Sequence, residues 1–75
     1  MVTVNDFCGE HYSSLLIKSS VYDFEDLNGR LIYSGKLGRY GGSSFMKFLH
    51  EHKDRQVRFV HKHPDEYKEL RIEIA

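Results

Sequence analysis

The stretch between Asp26 and Glu51 contains no acidic residue, and Arg30, Lys36, Arg39 and Lys47 all fall inside it. At its centre lies Gly35-Lys36-Leu37-Gly38-Arg39-Tyr40-Gly41-Gly42-Ser43-Ser44, and the helix-forming run Phe45-Met46-Lys47-Phe48-Leu49 follows directly. Loop N–H groups, cationic side chains and a helix N-terminus converging at one place would favour an anion, either a phosphate or a carboxylate. The loop does not follow the Walker A pattern, because no Gly-Lys-Ser/Thr opens the helix. Nor does it follow the dinucleotide fingerprint, which needs a βαβ unit with a downstream acid. A second reading stays open: the glycines shape a strand-to-helix crossover, and Lys36 and Arg39 are simply solvated. Tyr33 and Tyr40 extend the same region, unless Tyr33 packs on the sheet and only Tyr40 is exposed. Tyr and Arg are enriched at binding hot spots, and their planes stack on unpaired bases.

Gly35-Lys36-Leu37-Gly38 is similar to the GXXG loop of KH domains, but that loop joins two helices and here a strand is expected before it. Histidine offers a second chemistry, with five residues at positions 11, 50, 52, 61 and 63. On a strand, His61-Lys62-His63 turns both imidazoles to one face, a spacing that can chelate a metal. No cysteine or carboxylate completes a set of four, so no metal or cofactor is expected, and His61 and His63 are the residues that would contradict this. His11 and His52 each close the apolar stripe of a helix and read as rim residues. Cys8 falls on such a stripe, where a thiol behaves as a small inert hydrophobe. No nucleophile elbow or metal-binding helix pair fixes any Ser, His or Asp, so the expectation is a protein that is not an enzyme.

The chain that must position these residues is short. Its 75 residues make one domain, and a chain of this size buries only about 60–65% of its unfolded surface, which leaves little room for a deep cleft. The apolar (40%) and charged (29%) fractions are those of a folded domain. Lys+Arg and Asp+Glu balance at 11 each, so the general positive field of a nucleic-acid binder is absent. One cysteine excludes an internal disulfide framework. With no transmembrane-length apolar run and no signal-peptide pattern, the expectation is a cytoplasmic protein without a membrane partner. Net neutrality also permits a homodimer.

Thr3-Val4-Asn5-Asp6 reads as a capping box, with Val4, Phe7, Cys8 and His11 on one face of a short helix ending near Tyr12. Leu15-Leu16-Ile17-Lys18 and Val21-Tyr22-Asp23-Phe24 read as strand. Asp26-Leu27-Asn28-Gly29 is a turn, and Arg30 to Ser34 returns as the hairpin partner. A helix capped by Ser43 or Ser44 runs to about His52, with Phe45, Phe48, Leu49 and His52 as its stripe. Gln56 to His63 alternates, placing Val57, Phe59, His61 and His63 on one face and Arg58, Val60 and Lys62 on the other. Pro64-Asp65-Glu66-Tyr67 turns the chain into a last strand containing Leu70, Ile72 and Ile74. The expected core is Phe7, Cys8, Phe45, Phe48, Leu49, Val57, Phe59, Leu70, Ile72 and Ile74. The fold class is α+β in the order α-β-β-α-β-β, a four-stranded, mainly antiparallel sheet with two short helices on one face. Aligning Thr3 with Ser44, and Phe7 to His11 with Phe48 to His52, suggests a pseudo-two-fold repeat.

A short first helix and a hairpin turn precede Leu31-Ile32-Tyr33-Ser34-Gly35-Lys36-Leu37. A second helix, Arg55-Gln56-Val57 and a closing Leu70-Arg71-Ile72-Glu73-Ile74 follow. In these features the chain resembles a class of small α+β domains encoded by phages and integrated elements of Gram-positive bacteria. The resemblance implies a compact accessory protein of unassigned function and transfers no catalytic residue. The Gly41-Gly42 extension and the histidine pairs depart from that pattern. The resulting expectation is a non-catalytic protein that binds a macromolecular partner through the Gly-rich loop 35–44. The contacts are assigned to Lys36, Arg39, Tyr40 and Lys47. Overall neutrality makes a protein the first-choice partner, and the alternative is an RNA- or DNA-binding module using the same basic loop.

Overall fold

A computed structural model describes residues 1–11, 21–62 and 69–75. The expected strand at Leu15–Lys18, His63 and the turn at Pro64–Tyr67 lie outside the described residues. Helix α1 spans Val4–His11. The Thr3 hydroxyl accepts from the Asp6 N–H, and the Asp6 carboxylate accepts from the Thr3 N–H, each at 3.1 Å, which is the capping box read from the sequence. Two further first-turn donors are also satisfied: Val4 N–H donates to the Arg55 carbonyl (2.8 Å) and Asn5 N–H to that of Lys53 (3.0 Å).

Strands β1 (Val21–Glu25) and β2 (Leu31–Gly35) form the expected hairpin. Its turn is organised by Asp26, whose Oδ1 accepts from the N–H groups of Asn28 and Arg30 at 2.9 Å each. Gly29 supplies the positive φ of 81° that the turn needs. A single 3-10 turn (Gly38–Tyr40) leads into α2 (Gly42–His52), and β3 (Val57–Lys62) and β4 (Glu69–Ile74) follow.

The sheet is mixed, in the order β2-β1-β4-β3, with β1 and β4 parallel and the two outer pairings antiparallel. The central pairing thus departs from a wholly antiparallel sheet. It joins the first strand of one half to the last strand of the other, whereas a two-fold relating the halves would join equivalent strands. The central strands also carry much of the apolar inner face: Tyr22 and Phe24 on β1, and Leu70, Ile72 and Ile74 on β4, all buried. Against them pack Val4, Phe7 and Cys8 of α1 and Phe45 and Phe48 of α2, in one core cluster. Phe48 is its aromatic hub, 4.6 Å from Phe24 and stacked on Tyr33 at 4.8 Å between ring centroids.

One core assignment is overturned. Phe59 is 55% exposed, while Val60 joins Val57 against the core. The ladder between β3 and β4 shifts register between Val57 and Phe59. The bulge inserts Arg58 and inverts the alternation beyond it, sending Phe59 and His61 to the outer face. No helix among the described residues is long and apolar enough to cross a membrane.

Candidate contact surface

The Gly-rich connection is fastened from below by Tyr33. This side chain is buried, not displayed for stacking, and its hydroxyl donates to the Lys36 carbonyl at 2.6 Å. Leu37 is wholly buried and pins the loop to the core. At Gly41 a side chain is sterically excluded, because a Cβ would lie 2.1 Å from the Lys36 carbonyl oxygen and 2.5 Å from Phe45 Cβ. Gly38 and Gly42 take φ of 60° and 63°, the left-handed region that favours glycine. Three of the loop glycines therefore have backbone reasons to be there, independent of any ligand.

This crowding also decides how α2 begins. Its N-cap is Gly41, with no side-chain cap and no acid in the first turn. Ser43 and Ser44 lie inside that turn and are exposed, so neither is the N-cap expected from the sequence. Because Gly41 can carry no Cβ, a capping hydroxyl cannot be accommodated at the N-cap position.

Of the four expected contact residues, the structure brings two together. Arg39 and Tyr40 are both exposed on the 3-10 turn. The Arg39 guanidinium lies over the Tyr40 ring, 5.1 Å from its centroid, and Nη2 donates to Tyr40 Oη at 3.0 Å. Lys36 is half-buried, not exposed, and its carbonyl accepts from the Tyr33 hydroxyl. Lys47 is exposed on α2 and does not line the groove that Arg39 borders.

Arg39 stands at the wall of a groove of about 520 Å³ between the two helices. Helix α1 contributes Asn5, Cys8 and Gly9, α2 contributes Gly42, Phe45, Met46 and Leu49, and Gly38 completes the side next to Arg39. Met46 is 59% exposed, on the flank of the helix facing this groove. Sequence reasoning missed Asn5, Gly9, Met46 and Leu49 as site residues. The available signals were an apolar Met46 off the core stripe and a glycine inside a helix. Burial pushes the Cys8 thiol up to about 12, so it stays neutral and unreactive at physiological pH.

On the outer face of the sheet, the His61 ring stacks on Phe59 at 4.3 Å, and its Nε2 lies 3.4 Å from the Glu73 carboxylate. Arg71 Nε approaches Glu25 at 3.9 Å on the same face. Among the described residues no group of three or more His, Cys, Asp or Glu side chains could hold a metal. His52 packs against Phe48 at 5.4 Å between ring centroids, a rim position. No protein-family model, curated protein or solved structure matches this chain.

Proposed function

We propose that the chain is a non-catalytic accessory protein that binds a protein partner through the 3-10 turn and the first turn of α2. The resemblance to phage and prophage domains supports a role in a bacterial cytoplasm. The observation that carries the reading is the Arg39–Tyr40 pair, stacked and exposed at the edge of an apolar groove. Arg and Tyr anchors beside an apolar pocket are the usual makings of an interface hot spot. The alternative, binding RNA or DNA through the same loop, needs a track of cations to follow a phosphate backbone. With Lys36 half-buried, the described loop offers no such track, and overall net neutrality favours the protein partner.

The test is capture of a partner from bacterial lysate, with and without nuclease, by the parent and by the Arg39→Ala/Tyr40→Ala double variant. Capture should survive nuclease and be lost in the double variant. Its folding stability should change by less than about 0.5 kcal/mol, as at other exposed positions. Undiminished capture by that variant would move the interface elsewhere, with the outer sheet face around Phe59 the next place to look. Capture that vanishes with nuclease and weakens steeply with salt would establish the nucleic-acid alternative.

A further inference from the structure

We infer that Asn28 is a site of spontaneous covalent modification, its carboxamide converting through a cyclic imide to aspartate and isoaspartate, and that the Asp26 carboxylate sets the pace by holding the turn closed. The site lies in the hairpin turn, at the other end of β2 from the Gly-rich connection. It does not depend on the function proposed above.

The chemistry is that of an Asn-Gly pair and needs only water. The Gly29 nitrogen, on losing its proton, attacks Asn28 Cγ; the imide forms and ammonia leaves. Water then opens the imide on either side. Cleavage at Cγ restores the backbone as aspartate, and cleavage at the main-chain carbonyl leaves the chain running through the side chain as isoaspartate. The sum is carboxamide and water giving carboxylate and ammonium, with nothing oxidised or reduced.

Both reacting groups are accessible. Glycine is the residue that least obstructs such an attack, since it has no Cβ beside the nucleophile. Gly29 is exposed, and a Cβ built on it would meet nothing within 4 Å. Asn28 is exposed as well, and among the described residues its hydrogen bond is made by its main-chain N–H, which leaves the carboxamide free to turn. The only other asparagine is an internal contrast. Asn5 lies in α1, and the nitrogen that would attack it, that of Asp6, donates to the Thr3 hydroxyl within a helical turn.

What restrains Asn28 is the turn itself. The Gly29 N–H donates to the Asp26 carbonyl at 3.0 Å, so the nucleophile is engaged while the turn is closed. Asp26 Oδ1 accepts from the N–H groups of Asn28 and Arg30 at 2.9 Å each, clamping the residues on both sides of Gly29. Exposed loops open locally at small free-energy cost, and the reaction draws on that open population. Removing the Asp26 carboxylate weakens the clamp and enlarges the population.

The test is incubation of the folded protein at mildly alkaline pH in ¹⁸O-labelled water, followed by peptide mapping by mass spectrometry and enzymatic assay of isoaspartate. The peptide containing Asn28 should change from amide to acid with incorporation of labelled oxygen, and isoaspartate should be among its products. Asn5 should remain an amide. Asp26→Ala should speed the conversion roughly tenfold in the folded protein, and should react at the parent's rate once both chains are unfolded in urea. If Asp26→Ala fails to fold, Asp26→Ser, whose hydroxyl supports a weaker version of the same turn, should react at a rate between those of the folded parent and the unfolded chain. The inference is overturned if the folded parent keeps Asn28 intact while the unfolded chain converts, or if aspartate forms without isoaspartate. It is equally overturned if loss of the carboxylate leaves the folded rate unchanged or speeds the unfolded chain as much as the folded one.

Discussion

The two helices of this domain begin in opposite ways. At α1, Thr3 and Asp6 cap each other, and the N–H groups of Val4 and Asn5 are taken up by the carbonyls of Arg55 and Lys53. That start closes the fold, because its hydrogen bonds tie the N-terminus to the connection between α2 and β3. At α2 the N-cap is a glycine without a side-chain cap, and the exposed first turn holds two serines and no acid. One helix start is spent on internal structure and the other faces outward beside Arg39 and Tyr40. The cause is local: Tyr33, Lys36 and Phe45 crowd Gly41 so closely that a capping residue has no room. Helix α2 must then be held by packing, and α1 by packing and capping together.

The largest expected effect tests the packing half of that contrast. Phe48 is buried and lies against Phe24, Tyr33 and Phe45. Phe48→Ala should cost about 3–5 kcal/mol in urea denaturation, severe beside a total stability of roughly 5–15 kcal/mol. A cost near that of a surface substitution would mean that α2 is held by something other than its aromatic face.

Capping at α1 should matter less but be measurable. Thr3→Ala removes the hydroxyl that caps Asp6 N–H and should cost about 1 kcal/mol. The Asp6 carboxyl is held below its ordinary value of 3.8, first by the Thr3 N–H and then by the Thr3 hydroxyl. A carboxyl lowered in the fold adds stability above its unfolded value, and this is lost as pH falls through the folded value. The parent should therefore weaken on acidification below about pH 4. Thr3→Ala should show a shallower acid limb, since the larger contribution from the Thr3 backbone remains. Superimposable pH profiles would show that the hydroxyl contributes nothing to the box.

The contrast was half legible in the sequence. The α1 start could be read because a capping box is a local pattern of residue types, and the hairpin turn because Asn28-Gly29 encodes its own backbone. The Phe45/Phe48 stripe was equally local. The α2 start was misread because Ser43 and Ser44 are good capping residues. What displaced them was a steric contact between Gly41 and the Lys36 carbonyl, which no spacing of residue types reports. The bulge at Arg58 is hidden for a related reason: one inserted residue leaves the alternating pattern intact and reverses which half of it faces the core. The central pairing of β1 with β4 was out of reach, since a period of two tells which face a side chain takes and not which strand lies beside it. At the site, Arg39 and Tyr40 could be found from composition. The groove beside them is assembled from α1 and α2 together, so Gly9 and Met46 acquire meaning only once the helices are packed.

The smallest effect is the sharpest probe of the comparison, because stability and binding should move in opposite directions. Ser44 holds the same position in α2 that Asp6 holds in α1, the third residue after the N-cap. Ser44→Asp places in α2 the acid that α1 already has. It cannot complete a capping box, since the Gly41 N–H already donates to the Gly38 carbonyl at 3.1 Å. What remains is the attraction between a carboxylate and the positive end of the helix, which should stabilise the fold by about 0.3–1 kcal/mol at low salt. The melting temperature should rise slightly, and the gain should shrink as salt is added. The same carboxylate adds a negative charge to the first turn of α2, part of the proposed contact surface, so partner affinity should fall. Ser44→Asn, which adds no charge, should leave affinity near that of the parent. If Ser44→Asp stabilises the protein and binds its partner undiminished, the open start of α2 is a by-product of the crowding at Gly41 and no part of the contact surface.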